Sequence, residues 1–307
     1  VIDGKRVVAW TPYGREETVS VLLQYLRREH ERGLVDEWWL CMNTDDHQAY
    51  DRSYADGLAV HPWIKQVPRP PGLPVYRQKQ RNTGYFYRYM TDPDTVFVRL
   101  DDDIVYVHED AVERLVRHRL EAGSGVASFP VMWNNAIVSW FAQQQGAIPA
   151  PGTDAFLTQQ GTYDGNGVGN PYIWPAVGGP YCMDPVGWAD GRFGVALHRL
   201  LLERLDSGEI ERCFLYQDIA LHIGLQFSVS TFASLGSMYA GLPGGPGILV
   251  PEEEESWHTI HEPRRLGQPN VLVGNALVSH YTFFPQGPVI RATDILDRYR
   301  DQAKRLT

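Results

Sequence analysis

The sequence predicts an α/β fold built on a sheet open at its carboxyl edge, and three observations carry that prediction. Short apolar runs recur through the first 130 residues, separated by stretches of helical periodicity. The clearest run, Thr95-Val96-Phe97-Val98-Arg99-Leu100, ends abruptly in Asp101-Asp102-Asp103. A helix signal then begins at once near Asp110. Strands alternating with helices argue for a layered α/β sheet, and such sheets bind ligands at the carboxyl ends of their strands.

Each element follows from local pattern. Arg6-Val7-Val8-Ala9-Trp10 reads as a buried strand, broken by Thr11-Pro12-Tyr13-Gly14-Arg15. Val19, Leu22, Leu23 and Leu26 fall on one helical face, and Gly33 ends that helix. Glu37 to Met42 is a second strand, ending at Asn43-Thr44-Asp45-Asp46, and Trp63 to Val67 a weaker third. A Pro/Gly loop at 68–74 leads to a helical stretch around 78–90. Asp110 and Glu113 have the spacing of a capping box, followed by a helix with Val112, Leu115, Val116 and Leu120 inward. Residues 151–194 are rich in Gly and Pro, with Tyr163, Tyr172, Trp174, Tyr181 and Trp188 interspersed. A helix is expected around 185–206, a long mobile loop at 241–270, a strand at Val271 to Val278 and a terminal helix from Asp294 to Leu306.

Composition narrows the function classes. The chain has 307 residues, 43% hydrophobic and 21% charged, which suits a folded domain with a large core. A net charge of −9 argues against broad nucleic-acid binding, which needs a basic footprint. Cys41, Cys182 and Cys213 show no C-x-x-C spacing, so free buried thiols in a reducing compartment are expected. No run reaches the roughly 18 apolar residues of an integral membrane segment. Val1 to Arg6 has no signal-peptide core, which points to the cytoplasm. No internal repeat and no linker is visible, so 1–307 is read as one domain.

The aspartate triplet carries the chemistry. Three adjacent anions repel, and a divalent cation offsets that cost best. Asp101 and Asp103 would share one face if the strand continued. Asp-x-Asp after an apolar strand also occurs in haloacid-dehalogenase-like phosphatases, and Asp101-Asp102-Asp103-Ile104-Val105 fits that pattern. That family needs a downstream lysine, and none lies between Lys79 and Lys304. The aromatic residues of 163–188 suit a non-catalytic carbohydrate-binding protein, which would need no acidic cluster. Nucleotidyltransferases carry a glycine-rich loop after their first strand, whereas residues 11–15 hold a single glycine. Gly165, Gly167 and Gly169 lack the G-x-G-x-x-G spacing, His258 and His261 read as lid residues, and Glu252 to Glu255 as a solvated face.

The run Phe97 to Val105, with its central aspartates, resembles the metal-binding strand of nucleotide-sugar glycosyltransferases of the GT-A fold. Thr11-Pro12-Tyr13-Gly14-Arg15 is similar to that family's base-binding first loop, and Asp45 or Asp46 to its nucleobase carboxylate. Gln217-Asp218, placed on a helix, resembles the acidic pair with the catalytic base of inverting members, although Gln217 departs from the usual Glu. His280 resembles the late histidine of the metal site. The likeness runs in islands from about residue 5 to 285.

It implies a Rossmann-type mixed sheet with helices on both faces. The donor-binding half would span 1–130 and the acceptor-binding half 131–307. It implies transfer of a sugar from a nucleotide-diphosphate donor to a carbohydrate or glycoconjugate acceptor, with inversion and with Mn²⁺ or Mg²⁺ as cofactor. Asp101, Asp103 and His280 would bind the metal and Asp218 would be the base. Thr11, Tyr13, Arg15, Asp45, Asp46, Arg81, Asp101 and Asp102 would meet the nucleotide sugar.

Overall fold

The apolar runs form a single mixed sheet. The computed structural model describes residues 1–44, 48–72, 80–122, 127–148, 182–183, 185–242 and 254–306. Nine strands lie among them: β1 (Arg6–Tyr13), β2 (Glu37–Met42), β3 (Ile64–Val67), β4 (Thr95–Leu100), β5 (Ile104–Val107), β6 (Ser128–Trp133), β7 (Ile219–Ala220), β8 (Thr231–Leu235) and β9 (Val271–His280). Their order is β3-β2-β1-β4-β8-β6-β9-β5, with β7 pairing β9. β1, β2, β3 and β4 are mutually parallel, β6 is parallel to β9, and β5, β7 and β8 run antiparallel to their neighbours.

The chain first reverses direction across the sheet after β3. From β1 it steps outward to β2 and β3 through α1 (Glu16–Glu31) and α2 (Ala49–Leu58), then returns past β1 to β4. Right-handed crossovers put α1 and α2 on one face and the returning segment on the other. Tyr87 of that segment packs edge-on against Trp10, ring centroids 5.1 Å apart. The carboxyl ends of β1 and β4 therefore flank a topological switch point, where open α/β sheets form their ligand crevice.

β1 reaches Tyr13, beyond the break expected at Thr11. Pro12 is tolerated because of where its missing N–H falls. Odd-numbered residues of β1 bond toward β2, as the Tyr13 carbonyl does with the Asn43 N–H at 3.0 Å. Pro12 thus faces the β4 side, where pairing has already stopped at Trp10 opposite Arg99.

α1 buries Val19, Leu22, Leu23 and Leu26 as its periodicity predicts, and Gly33 takes φ +73° just beyond its end. Its first turn is capped from α2: the Asp51 carboxylate accepts the Glu16 N–H at 2.8 Å. β4 is buried at all six positions, so its apolar run reads through the sheet centre. α3 (Gln80–Thr83) and a 3₁₀ turn (Gly84–Tyr89) replace the continuous helix expected at 78–90.

Four strands were not visible in the sequence pattern, among them the two-residue β7. β5 is only four residues long, β8 five, and β6 contains Pro130. Pro130 lies at a register shift against β9, beyond the single β6–β8 pairing at Ser128. The capping box at Asp110 does not form. The Asp110 carboxylate instead takes the Arg114 guanidinium at 2.9 Å while capping no N–H of α4 (Ala111–Glu121).

The loop expected at 241–270 is helical over 254–266, and 243–253 lie outside the described residues. His258 is no lid residue: it is fully buried, its Nδ1 2.7 Å from the Glu254 carbonyl and its Nε2 3.1 Å from the Tyr239 hydroxyl. The core includes Trp10, Trp38 and Trp133, all fully buried.

Burial pushes the His258 imidazole down to about 3, against its usual 6.5. The unfolded chain then takes up a proton below pH 6.5 that the folded chain refuses, so stability is lost as pH falls. Between pH 7 and 5 this linkage contributes about 2 kcal/mol. Urea unfolding at the two pH values should show a smaller loss, by about that amount, in His258→Gln than in the wild type. Equal losses would place the proton uptake elsewhere.

Candidate active site

Beyond Leu100 the chain turns, and the three aspartates occupy the turn rather than a strand. The Ile104 N–H donates to the Asp101 carbonyl at 3.1 Å and closes it. The side chains therefore diverge into three environments.

Asp102 faces the end of β1. Its Oδ1 accepts from Arg15 Nε at 2.9 Å and from the same guanidinium's Nη2. Thr18 donates its hydroxyl to the Asp102 carbonyl. Gly14 permits this close approach, since a Cβ there would stand 3.2 Å from Asp102 Oδ2. Burial pushes the Asp102 carboxyl up, against the pull of Arg15. Asp102 thus anchors the first loop and is not part of the cavity wall.

Asp103 faces β9. Register places Ile104 opposite His280, so the two side chains meet where β5 and β9 close the sheet. His280 Nε2 lies 3.2 Å from Asp103 Oδ2, and Arg15 Nη2 lies 3.1 Å from the same oxygen. The Tyr281 N–H donates to the Asp103 carbonyl at 2.8 Å. Burial opposes ionisation of Asp103, but the charges of Arg15 and His280 outweigh it and hold the carboxyl below its usual range. Asp103 Oδ1 and His280 Nδ1 are both buried with no hydrogen-bond partner among the described residues. Phe283 packs on the His280 ring, centroids 4.3 Å apart.

Asp101 is held from below. Arg99 Nε donates to Asp101 Oδ1 at 2.8 Å, and Arg99 Nη1 pairs with Glu254. The Tyr87 hydroxyl donates to Glu254 Oε1 at 2.6 Å, and the guanidinium carbon lies 5.2 Å from the Trp10 ring centroid. Burial pushes the carboxyls of both Asp101 and Glu254 up, against Arg99. Next to this network Gln226 Nε2 donates to Glu255 Oε1 at 2.6 Å.

Arg15, Asp101, Asp103, Glu254, Glu255 and His280 line one cavity of about 1100 Å³. Ser228, Ser230, Trp188, Phe284 and Arg291 complete much of the rest. The acidic run at 252–255 is therefore no solvated face at its end: Glu254 is 6% exposed and ion-paired. Only its separation of 155 residues from Arg99 hid the partnership.

Other expected site residues are placed elsewhere. Thr11 is fully buried and accepts the Trp38 Nε1–H at 3.0 Å. Tyr13 is fully buried, its hydroxyl donating to the Asp51 carbonyl at 2.6 Å. Neither lines the cavity. Asp218 is a correction in both element and place. It lies in the connection before β7, and its carboxylate accepts the Gly274 N–H at 2.7 Å. β7 meets β9 at Val271 and Leu272 while β5 meets it at His280, and Asp218 is not among the described residues that line the cavity. Asp45, Asp46, the Arg81 side chain and the aromatic residues of 163–181 lie outside the described residues.

A metal must be judged on the donor set. Among the described residues no three His, Cys, Asp or Glu side chains converge to hold an ion alone. Asp101 is turned to Arg99, which leaves Asp103 and His280 as a pair. A divalent ion at this pair would need most of its ligands from elsewhere, such as phosphate oxygens and water.

The strand order and the crevice at its switch point define a Rossmann-type mixed α/β fold. No family model matches the chain, and no curated protein matches its sequence. Among solved structures, a mycobacterial protein is 16% identical, aligned over 98% of this chain and 76% of its own, with a TM-score of 0.45. Glucosyl-3-phosphoglycerate synthase from Mycobacterium tuberculosis, in complex with Mn²⁺, uridine diphosphate and phosphoglyceric acid, is 20% identical over 67% and 66%, with a TM-score of 0.32. 4-Diphosphocytidyl-2C-methyl-D-erythritol synthase is 11% identical over 41% and 58%, with a TM-score of 0.29. Such distant likenesses carry no argument about the site.

Arg99→Met should destabilise the chain by about 3–5 kcal/mol in urea unfolding, because Asp101 and Glu254 lose their shared counter-charge. A loss under about 1 kcal/mol would mean that water already satisfies both carboxylates.

Proposed function

We propose that this chain transfers a sugar from a nucleotide-diphosphate donor to an acceptor hydroxyl, with inversion, using Mn²⁺ or Mg²⁺. The observation that supports this most is the Asp103–His280 pair, with its two orphaned buried atoms, beside the Arg15 guanidinium at the switch point. A carboxylate–imidazole pair beside an arginine suits a diphosphate, whose oxygens would complete a metal's coordination next to the Arg15 charge. The metal, when bound, supplies charge stabilisation to the departing diphosphate. Asp103 and His280 would hold it, and Asp101 would meet the donor's ribose from its place on Arg99. Inversion is the reading because the cavity offers carboxylates that can accept the acceptor's proton in a single displacement.

On this reading the chain works as one domain. The donor side is built by 1–130 and the acceptor side by 131–307, the two meeting in one sheet. Asp45 or Asp46 would take the nucleobase and Arg81 the phosphates. Three free cysteines suit a reducing compartment, and we place the reaction in the cytoplasm. Among the described residues no helix is long and apolar enough to cross a membrane. The phosphatase alternative would make Asp101 a nucleophile, but Arg99 holds that carboxylate and no lysine is among the described lining residues.

The test is thermal unfolding with UDP, GDP, dTDP and CMP, each with and without Mn²⁺. One nucleotide should stabilise the wild type by about 2.7 kcal/mol at a hundredfold excess over its Kd. The effect should require Mn²⁺ and disappear in Asp103→Ala. No stabilisation by any of the four, or a rise that persists in Asp103→Ala, would overturn the reading.

A further inference from the structure

The cavity carries more acid than a donor and its metal need, and its carboxylates are not equivalent. Asp101 and Glu254 share Arg99. Asp103 meets Arg15 and His280. Glu255 alone among the described lining carboxylates has no ion pair; its Oε1 is held by the neutral amide of Gln226 at 2.6 Å. Asp218, expected to act on the acceptor, is at the other end of β9.

The wall beside Glu255 has a distinct character. Gln226, Ser228, Val229 and Ser230 lie in the segment leading into β8, and all four line the cavity. The Ser228 and Ser230 hydroxyls are 2.9 Å apart. This strip offers an amide and two hydroxyls and no charge. The cations of the cavity stand elsewhere: Arg15 and Arg99 are bound to carboxylates, and Arg291 belongs to the segment beyond Phe284.

We infer that the acceptor is an uncharged polyhydroxylated molecule bound along Gln226, Ser228 and Ser230, and that Glu255, oriented by Gln226, takes the proton from its attacking hydroxyl. The inference rests on the glycosyl-transfer reading and names the acceptor side of that site. In the step the acceptor oxygen bonds to the anomeric carbon. The bond from that carbon to the diphosphate oxygen breaks, and its electron pair leaves with the diphosphate. The hydroxyl proton passes to Glu255.

Gln226 holds the carboxylate in place without neutralising it, as a counter-ion would. Burial also pushes the Glu255 carboxyl up, with Glu254 and Asp101 adding to the effect and Gln226 and Arg99 opposing it. Asp101 and Glu254 are raised by burial as well, so what sets Glu255 apart is its neutral amide partner in place of an arginine.

The experiment uses the full chain, Mn²⁺ and the nucleotide sugar of whichever nucleoside diphosphate stabilises it. Release of the diphosphate is followed with glycerol, glucose or 3-phosphoglycerate as acceptor. Glu255→Gln should lower kcat by about 10²–10⁴-fold while leaving the Mn²⁺-dependent nucleotide stabilisation intact. It should also remove the acid limb of the kcat profile. Gln226→Leu should lower kcat and shift that limb, with KM for the nucleotide sugar unchanged, whereas a merely structural amide would leave the limb in place. Should Glu255→Gln fail to fold, Glu255→Asp withdraws the carboxylate by one methylene and should lower kcat with its limb retained.

Glycerol and glucose should be accepted and 3-phosphoglycerate should not. Nucleotide stabilisation with wild-type kcat in Glu255→Gln or Glu255→Asp would overturn the base assignment alone. Preference for 3-phosphoglycerate, abolished by Arg291→Gln, would overturn the acceptor class. No stabilisation by any nucleotide would remove the underlying reading and both assignments with it.

Discussion

A guanidinium buried in the central strand is the constraint on which the site depends. Arg99 sits on β4, where all six positions are buried, and a charge there is costly unless fully paired. Its partners come from every side: Asp101 two residues on, Glu254 from the far end of the chain, the Tyr87 hydroxyl and the Trp10 face. The strand therefore reaches a satisfied state only after the 254–266 helical segment has docked. Docking brings Glu255 with it, so the cation that stabilises the floor also sets the acidic wall. The fold and the cavity are thus not separable tasks for this sequence.

The same economy governs the aspartate turn. Three adjacent carboxylates at one turn would repel if they pointed together, and the turn disperses them. Asp102 is spent on the Arg15 loop and Asp101 on Arg99. Asp103 is left with a histidine and a second contact from Arg15, and with one oxygen unused. Two of the three acids are positioned by arginines, and the third faces the space where a ligand would sit.

Much of the frame was legible because it is local. β1, β2, β4 and β9 announce themselves as apolar runs, α1 as a stripe of four residues, and Asp103 with His280 as residues at strand ends. What stayed hidden is what distance in sequence conceals. Glu254 reads as surface charge until Arg99, 155 residues away, is beside it. Asp218 reads as a helical acid until β7 pairs with β9 and commits it to the Gly274 N–H. Thr11 and Tyr13 read as loop residues because Pro12 signals a break, yet a proline facing an unpaired strand side breaks nothing. Composition could not assign Gln226 or the two serines, since neutral side chains outside regular elements carry no periodic signal.

Rigidity around His280 bears on the metal and donor site proposed for this cavity. Asn134 donates to the His280 and Tyr281 carbonyls at 3.3 and 3.2 Å and to Gln286 Oε1 at 2.9 Å, and it does so from φ +64°. A non-glycine residue in that region costs of order 1–3 kcal/mol, and surrounding contacts must hold it there. Gln286 is fully buried and bonds back to Asn134, so the turn after β9 is fixed from beneath while Phe284 remains 95% exposed at the cavity edge. The histidine is therefore pre-placed, and little reorganisation is needed when a ligand arrives. Yet two side chains leave most of a divalent ion's coordination to other donors. A diphosphate would fill that deficit, and a bound ion would in turn offset the diphosphate's charge beside Asp103. Under the proposed reaction each binds the protein better in the presence of the other, and that reciprocity follows from the shortage of side-chain ligands itself.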